Sequence, residues 1–170
     1  MSLEVELKAP CRDCERKVLG LGARFVKSEE QEDVYYAHPG RDFRKTDEAL
    51  RIRSVKRTDK AGSGLVITYK GPKMKSDLKE RREIEFDVGG QAYELLEALG
   101  FRKAFTIRKR RSTYELDGLT VCCDLVEGLG EYVEVESKDM ADREKIIKTL
   151  GKIGVADETT TDSYSQLLGI

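Results

Sequence analysis

The sequence predicts an α+β protein that is mainly antiparallel β, with helices packed outside the sheet. Eight segments alternate apolar and polar side chains in the manner of strands, and only three segments have apolar residues at helical spacing. Turn residues separate these segments along the chain. With 170 residues, the chain is most simply one domain spanning 1–170, long enough to bury a core.

The predicted strands are bounded by turn signals such as Gly71-Pro72 and Asp117-Gly118. The strands are Leu3–Ala9, Gln31–Ala37, Glu48–Ser54, Gly64–Lys70, Lys79–Val88, Ala104–Tyr114, Leu119–Val126 and Glu131–Lys138. Each predicted helix is followed by a glycine, the residue that most readily closes a helix. The helices are Arg12–Leu21 before Gly22, Gln91–Leu99 before Gly100, and Ala141–Leu150 before Gly151.

Bulk composition excludes several classes of protein. A net charge of −1 and a pI near 6.0 do not suggest a general nucleic-acid binder. No apolar run approaches the about 18 residues of a membrane span, and no signal peptide is visible. We therefore expect a cytoplasmic protein with neither a nucleic acid nor a membrane as partner. Charged residues make up 37% of the chain, well above the roughly 25% that is typical, so their placement becomes the main question.

The cysteines and the single histidine offer little chemistry. Cys11 and Cys14 have the spacing of a zinc or redox pair, but a second such pair is missing. Cys122 and Cys123 are adjacent and would point to opposite faces of a strand. We therefore expect structural or incidental thiols rather than a metal site. His38 lies in a His-Pro-Gly turn and is expected to be a loop residue, and one histidine cannot form a two-histidine zinc site.

The charges of the predicted strands collect on one face. In the first strand, Glu4, Glu6 and Lys8 oppose Val5 and Leu7. The apolar faces can pack against helices, so that a closed sheet would turn its charged faces into a channel. The channel acids would be Glu4, Glu6, Glu83, Glu85, Asp124, Glu134 and Glu136, and the bases Lys8, Arg51, Arg53, Lys70, Arg81, Lys109 and Arg111. Because burying unpaired charges is prohibitive, such a channel must be wet and hold counter-ions or a charged ligand.

The charged residues indicate a metal and a polyanion. Carboxylates two residues apart on a strand lie roughly 7 Å apart along the backbone and can converge on one cation. Glu4-x-Glu6 and Glu134-x-Glu136 form two such pairs, whose hard oxygen ligands favour Mg²⁺ or Mn²⁺ over zinc. Arginine forks suit phosphate oxygens, so the bases predict a metal-bound triphosphate as ligand. Phosphoryl transfer needs mainly positioning and charge neutralisation, so the lack of nucleophile motifs is no obstacle.

These motifs also stand in a recognisable order along nearly the whole chain. They are Glu4-x-Glu6-x-Lys8, Leu50-Arg51-Ile52-Arg53, Thr68-Tyr69-Lys70, Arg82-Glu83-Ile84-Glu85, Lys109-x-Arg111, Asp124 and Glu134-x-Glu136. In this combination the chain resembles the CYTH superfamily of triphosphate tunnel metalloenzymes, which includes class IV adenylate cyclases, thiamine triphosphatases and inorganic triphosphatases.

The resemblance implies an eight-stranded, closed antiparallel β-tunnel with a polar, charged interior and helices outside. It implies metal ligation by Glu4, Glu6, Glu134 and Glu136, with Asp124 or Glu85 assisting. It implies triphosphate binding by Lys8, Arg51, Arg53, Lys70, Arg81, Lys109 and Arg111. Among these residues we predict catalytic roles for Glu6, Glu136, Lys8 and Arg111. A homodimer is also plausible by similarity to the family.

The class IV cyclase branch is the most similar part of the family. The residues that indicate it are Gln31 to Tyr36, His38-Pro39, Arg41-Asp42-Phe43, Thr46 to Leu50 and Ser163-Tyr164-x-x-Leu167-Leu168. Thiamine triphosphatases are expected to have a functional lysine near the C-terminus, and no lysine follows Lys152. Conversion of ATP to cyclic AMP and pyrophosphate is therefore the leading hypothesis. The alternatives are hydrolysis of inorganic triphosphate, a nucleoside triphosphate or thiamine triphosphate, and non-catalytic binding of a polyphosphate or nucleotide.

Overall fold

A computed structural model of the chain, which describes residues 2–74 and 78–170, contains a closed barrel of antiparallel strands. The strands are β1 (Ser2–Pro10), β2 (Arg24–Ala37), β3 (Ala49–Arg57), β4 (Ser63–Lys70), β5 (Lys79–Val88), β6 (Arg102–Leu116), β7 (Leu119–Val126) and β8 (Gly130–Ser137). Neighbours run in the order β1, β5, β4, β3, β2, β6, β7, β8, and β8 pairs with β1 to close the barrel. The predicted fold class and closure are confirmed.

Helices lie outside the barrel. They are α1 (Cys14–Gly20), α2 (Phe43–Thr46), α3 (Gln91–Ala98), α4 (Arg143–Ile153) and α5 (Tyr164–Leu168). The predicted helices correspond to α1, α3 and α4. The sequence did not indicate α2 and α5, because four or five residues are too few to show helical periodicity. Within the described residues, no helix combines the length and apolar character needed to cross a membrane.

The predicted end of the last long helix is wrong. Instead of stopping before Gly151, α4 continues to Ile153 and closes on Gly154. Gly154 takes the left-handed backbone conformation, with φ of 89°, and its N–H donates to the Leu150 carbonyl. The additional turn buries Ile153 beside Leu150 and Ile146, which explains why the helix passes through Gly151.

The largest strand correction concerns β2, which begins at Arg24 rather than at the predicted Gln31. The extra residues include the polar stretch Lys27–Glu30, which lacks an apolar face and so gives no sequence signal for a strand. They are held by pairing with β6, where Glu29 lies opposite Arg111.

The apolar faces of the strands point outward and meet the helices. Val5 and Leu7 of β1 pack with strands β7 and β8 beneath α1 and α4. A second cluster joins Leu50 and Ile52 of β3 to Leu96 of α3. The hydrophobic core therefore lies between barrel and helices, which leaves the barrel interior to polar and charged side chains.

The four cysteines do not all remain thiols, which corrects the expectation from sequence. Cys14 at the start of α1 forms a disulfide with Cys123 of β7 across a sequence separation of 109 residues, whereas Cys11 and Cys122 are free and buried. The adjacent pair on β7 does point to opposite faces, as predicted. Cys123 faces α1, while Cys122 faces the charged interior, where burial raises the pKa of its thiol.

We expect that replacing both Cys14 and Cys123 with serine lowers the free energy of unfolding by about 4 kcal/mol, because a long closed loop strongly restricts the unfolded chain. Urea denaturation of the wild type and the double variant measures this difference. A reductant should destabilise the wild type and leave the double variant unchanged. Equal unfolding of the wild type with and without reductant would contradict the disulfide.

Candidate functional site

The barrel interior is a cavity of about 850 Å³, lined by charged side chains from seven of the eight strands. Every site residue predicted from the sequence lines this cavity except Asp124, which lies buried behind Arg111 and bonds to it. The lining residues from that prediction are Glu4, Glu6, Lys8, Arg51, Arg53, Lys70, Arg81, Glu85, Lys109, Arg111, Glu134 and Glu136. Strand alternation places them on the inner face of each strand, because residues two apart face the same side, and closure of the barrel brings the strands together around the cavity.

Three carboxylates converge on one point of the tunnel. Each of Glu4, Glu6 and Glu136 offers an oxygen, and the three oxygens lie within 4.8 Å of one another. The pairing of β1 with β8 places Glu6 directly opposite Glu136, an arrangement that is unfavourable for two like charges. Burial, together with the neighbouring carboxylates of Glu134 and Glu4, raises the pKa of Glu136 to about 7. Burial likewise raises the pKa of Glu4.

This trio, defined as Glu4, Glu6 and Glu136, fits a hard divalent cation. Carboxylate oxygens are the donors that Mg²⁺ and Mn²⁺ prefer. A cation would also compensate the buried negative charge of Glu136, whose pKa is raised by burial and by neighbouring carboxylates. Of the two glutamate pairs that the sequence indicated, Glu4 and Glu6 thus meet Glu136 of the second pair, whereas its other member, Glu134, contacts basic side chains.

The other predicted metal ligands contact bases instead. Glu134 lies 3.1 Å from Nζ of Lys8 and 3.0 Å from a guanidinium nitrogen of Arg111. Asp124 accepts two hydrogen bonds from Arg111, at 2.7 and 2.6 Å. Glu85 is about half exposed and accepts a hydrogen bond of 2.8 Å from the Thr68 hydroxyl. The structure thus places these three acids beside cationic or hydroxyl groups rather than in the trio.

The lysines of the tunnel differ in their electrostatic surroundings. Burial alone would lower the pKa of Lys8, but Glu6 at 3.0 Å and Glu134 at 3.1 Å raise it above its ordinary value. Burial and the nearby Arg111 instead lower the pKa of Lys109 to about 8, and the carboxylate of Asp124, 3.4 Å from its Nζ, opposes them only in part. Lys109 is therefore a weakly compensated cation inside the tunnel.

Asp33 is a site residue that the sequence analysis missed. Its carboxylate accepts bonds of 2.6 and 2.8 Å from Arg53 and one of 3.1 Å from Arg51. Burial would raise the pKa of Asp33, but the two guanidinium groups hold it well below its usual range. The signal was present, since alternation along β2 places Asp33 on one face with Tyr35. Its partners could be known only after β2 was paired with β3.

Two arginine donors in the tunnel have unmet hydrogen-bonding capacity. Within the described residues, the buried Nε atoms of Arg51 and Arg81 have no hydrogen-bond partner. Both side chains line the cavity, and Arg81 otherwise lies 3.5 Å from a carboxylate oxygen of Asp47. A buried donor without an acceptor is costly, so these atoms favour a ligand that carries several acceptor oxygens.

Aromatic side chains from β2, β6, the loop after β2 and the C-terminal helix α5 also line the cavity. Tyr35 and Phe105 stack with ring centroids 4.7 Å apart, and both line it. His38 is a loop residue, as predicted, and its Nδ1 accepts N–H bonds from Gly40 and Arg41 at 2.9 and 3.1 Å. From α5, Tyr164 reaches between the charged residues.

A closed antiparallel barrel with a carboxylate trio and several bases inside defines a class of protein, the charged β-tunnel. The chain belongs to the CYTH family, because the model of the CYTH domain matches residues 2–164. The earlier assignment to this family from motifs is thereby confirmed.

Several known proteins are similar over nearly their full length. A protein of Methanocaldococcus jannaschii named "putative adenylate cyclase" is 36% identical over 99% of both chains. The solved PH1819 protein of Pyrococcus horikoshii is 39% identical, with a TM-score of 0.88 over 97% of both chains. A "putative adenylyl cyclase" from Hippeastrum, described as having a dominant triphosphatase activity, shares the fold at 18% identity, with a TM-score of 0.70 over 99% of this chain and 95% of that one.

We expect Asp33→Asn to lower the free energy of unfolding by about 3 kcal/mol at neutral pH, because two buried guanidinium groups lose their counter-charge. Folding lowers the pKa of Asp33, so its charged form stabilises the folded protein. This stabilisation is fully present above the pKa of the unfolded chain, about 3.9, and is lost progressively as the pH falls below that value. Urea denaturation across this pH range should show the difference from the wild type shrinking as pH falls.

The exposed Asp87→Asn variant is the matched control, and it should unfold like the wild type throughout. A constant difference between the Asp33→Asn variant and the wild type at every pH would rule out the charge as its cause.

Proposed function

We propose that this protein is a divalent-metal-dependent enzyme that acts on a triphosphate inside the tunnel, and that it converts ATP to cyclic AMP and pyrophosphate. One observation carries the proposal: the trio of Glu4, Glu6 and Glu136 shares a single cavity with all seven basic side chains that the sequence predicts as triphosphate ligands. The names of similar proteins support the cyclase reaction in particular.

The phosphate chain would be held by cations that already have fixed orientations. Carboxylates orient many of these bases, as Asp33 does for Arg53 and Glu4 does for Lys70 at 2.7 Å. The buried Nε donors of Arg51 and Arg81 support the placement of phosphate oxygens beside them. The proposed triphosphate ligands are Lys8, Arg51, Arg53, Lys70, Arg81, Lys109 and Arg111.

Glu4, Glu6 and Glu136 would hold the divalent cation, with Glu134 next to them on β8. When bound, the cation would supply charge neutralisation and would lower the pKa of an attacking hydroxyl. In cyclisation, the ribose 3′ hydroxyl would release its proton to water in the tunnel and its oxygen would form a bond to the α-phosphorus. The bond from that phosphorus to the pyrophosphate oxygen would break, so that pyrophosphate leaves. Lys8 and Arg111, positioned by carboxylates, would stabilise the charge that develops on the phosphate oxygens and on the leaving pyrophosphate.

Hydrolysis is the second candidate, with water instead of the ribose hydroxyl as the attacking group. The charged lining favours hydrolysis in one respect. The phosphate chain alone would engage the seven proposed lysine and arginine ligands, and hydrolysis does not require a pocket for a nucleobase. Inorganic triphosphate, a nucleoside triphosphate and thiamine triphosphate are the corresponding substrates.

Separate incubation with ATP, inorganic triphosphate and thiamine triphosphate, each with Mg²⁺ or Mn²⁺, distinguishes these reactions. We expect cyclic AMP and pyrophosphate from ATP, and loss of turnover when a chelator is added. Chromatography of the products provides the measurement. Release of orthophosphate would favour the hydrolase instead, while tight metal-independent binding without turnover of any substrate would identify a non-catalytic binder.

We further expect Glu6→Gln and Glu136→Gln to reduce kcat by at least about a hundredfold, because each removes a charge from the trio that would hold the cation. Steady-state kinetics with ATP and a titration of Mn²⁺ measure the loss of turnover and of metal affinity. Glu131→Gln is the control, since Glu131 is exposed on the same strand as Glu136. Full activity in both trio variants would eliminate the trio as the metal site.

A further inference from the structure

The side chain of Tyr164, the first residue of the C-terminal helix α5, lies in the charged interior of the barrel. The side chain is buried, and its hydroxyl donates a 2.7 Å hydrogen bond to Oδ2 of Asp124. The Nζ atom of Lys8 lies 5.0 Å from the centroid of its ring, and that of Lys109 lies 4.9 Å away. One uncharged side chain therefore contacts two ammonium groups and a carboxylate.

The ring and the hydroxyl of Tyr164 have separate effects. An aromatic face attracts an ammonium group within about 6 Å, most strongly where water is excluded. Two like charges beside one ring are thus each stabilised by the same group. The hydroxyl bond acts on Asp124, which in turn accepts two bonds from Arg111. Tyr164 therefore supports Lys8 and Lys109 directly and Arg111 through one intermediate residue.

Local structure holds the ring in this place. Ser163 caps α5, accepting a bond from the N–H of Gln166, while the Gln166 side chain accepts one from the Ser163 N–H at 2.8 Å. The ring also meets Tyr132 of β8 edge to face, with centroids 5.6 Å apart. Burial and the nearby Asp124 raise the pKa of Tyr164 well above its ordinary value, so the hydroxyl keeps the proton that it donates.

We propose that Tyr164 is a positioning residue of the tunnel, whose ring holds Lys8 and Lys109 and whose hydroxyl holds Asp124, and through it Arg111, in place for the phosphate chain. This inference rests on the proposed function of the tunnel as a triphosphate site. If Tyr164 has this role, substrate binding also depends on the C-terminal helix α5, although α5 contributes no charged side chain to the tunnel.

Two substitutions separate the parts of the side chain. Tyr164→Phe keeps the ring and removes the hydroxyl, so kcat for ATP should fall about tenfold, with KM nearly unchanged, as Arg111 loses its support. Tyr164→Leu also removes the ring, so KM and the Kd for inorganic triphosphate with Mg²⁺ should rise about tenfold as well. Tyr114→Leu is the matched control, because Tyr114 is a buried tyrosine in the core beneath the helices and does not line the tunnel.

A spectroscopic measurement tests the arrangement without substrate. Protons of lysine methylene groups that lie over an aromatic ring are shifted upfield by its ring current. In protein with ¹³C-labelled lysine, the wild type, Tyr164→Phe and Tyr114→Leu should show upfield-shifted signals of both Lys8 and Lys109, and Tyr164→Leu should show neither of these two. Lys103, whose Nζ lies 5.8 Å from the centroid of the Tyr93 ring, should be shifted alike in every variant. Substitution of Lys8 and of Lys109 by arginine, one at a time, assigns the signals.

Wild-type kinetics and affinity in a folded Tyr164→Leu variant would overturn the inference. It would also be overturned if Tyr114→Leu, at an equal loss of unfolding free energy, weakened triphosphate binding as much as Tyr164→Leu. If the wild type neither binds nor turns over any triphosphate, the proposed function fails. The ring-current shifts then still test the placement of Lys8 and Lys109 against the Tyr164 ring, and their absence refutes it, whereas a role of Tyr164 in holding these residues for a phosphate chain fails together with the proposed function.

Discussion

The structure depends on pairing opposite charges across the inside of a closed barrel. The hydrophobic core lies outside the strands, so inward side chains must be satisfied by one another. Asp33 between Arg51 and Arg53, and Lys70 between Glu4 and Glu83, are such arrangements. Removing one partner of a buried pair leaves an uncompensated charge, so each basic side chain can stay buried only while its carboxylate partner is present.

The same pairing would prepare the tunnel for the proposed polyanionic substrate. Bases held by carboxylates have already lost side-chain freedom, so a phosphate chain would meet oriented donors. The carboxylate trio stands in contrast, because strand register places Glu6 opposite Glu136 with like charge. Burial, together with the carboxylates of Glu134, Glu4 and Glu6, raises the pKa of Glu136, and a proton or a cation can relieve this unfavourable charge. A cation site next to a row of oriented bases is the arrangement that a metal-bound triphosphate requires.

Most residues that line the tunnel are recognisable in the sequence for a simple reason. Acids and bases that lie two residues apart on a strand share a face. Motifs such as Glu4-x-Glu6-x-Lys8 therefore indicate which residues point into the barrel before the pairing of the strands is known. Asp33 stood on such a face but was not singled out, because the predicted strand Gln31–Ala37 has no second charged residue on the same face as Asp33. Tyr164 lay in a motif but had no assigned role, since its helix has only five residues.

The chain by itself determined the fold class, which residues face inward and the family, because these follow from local alternation and from the order of motifs. Only the tertiary structure decided which inward residues touch. It separated Glu134 from the trio, brought Tyr164 against Lys8 and Lys109, and joined Cys14 to Cys123 across 109 residues. The physical reason is that register and closure set the distances between strands that are far apart in sequence, and no local pattern encodes those distances.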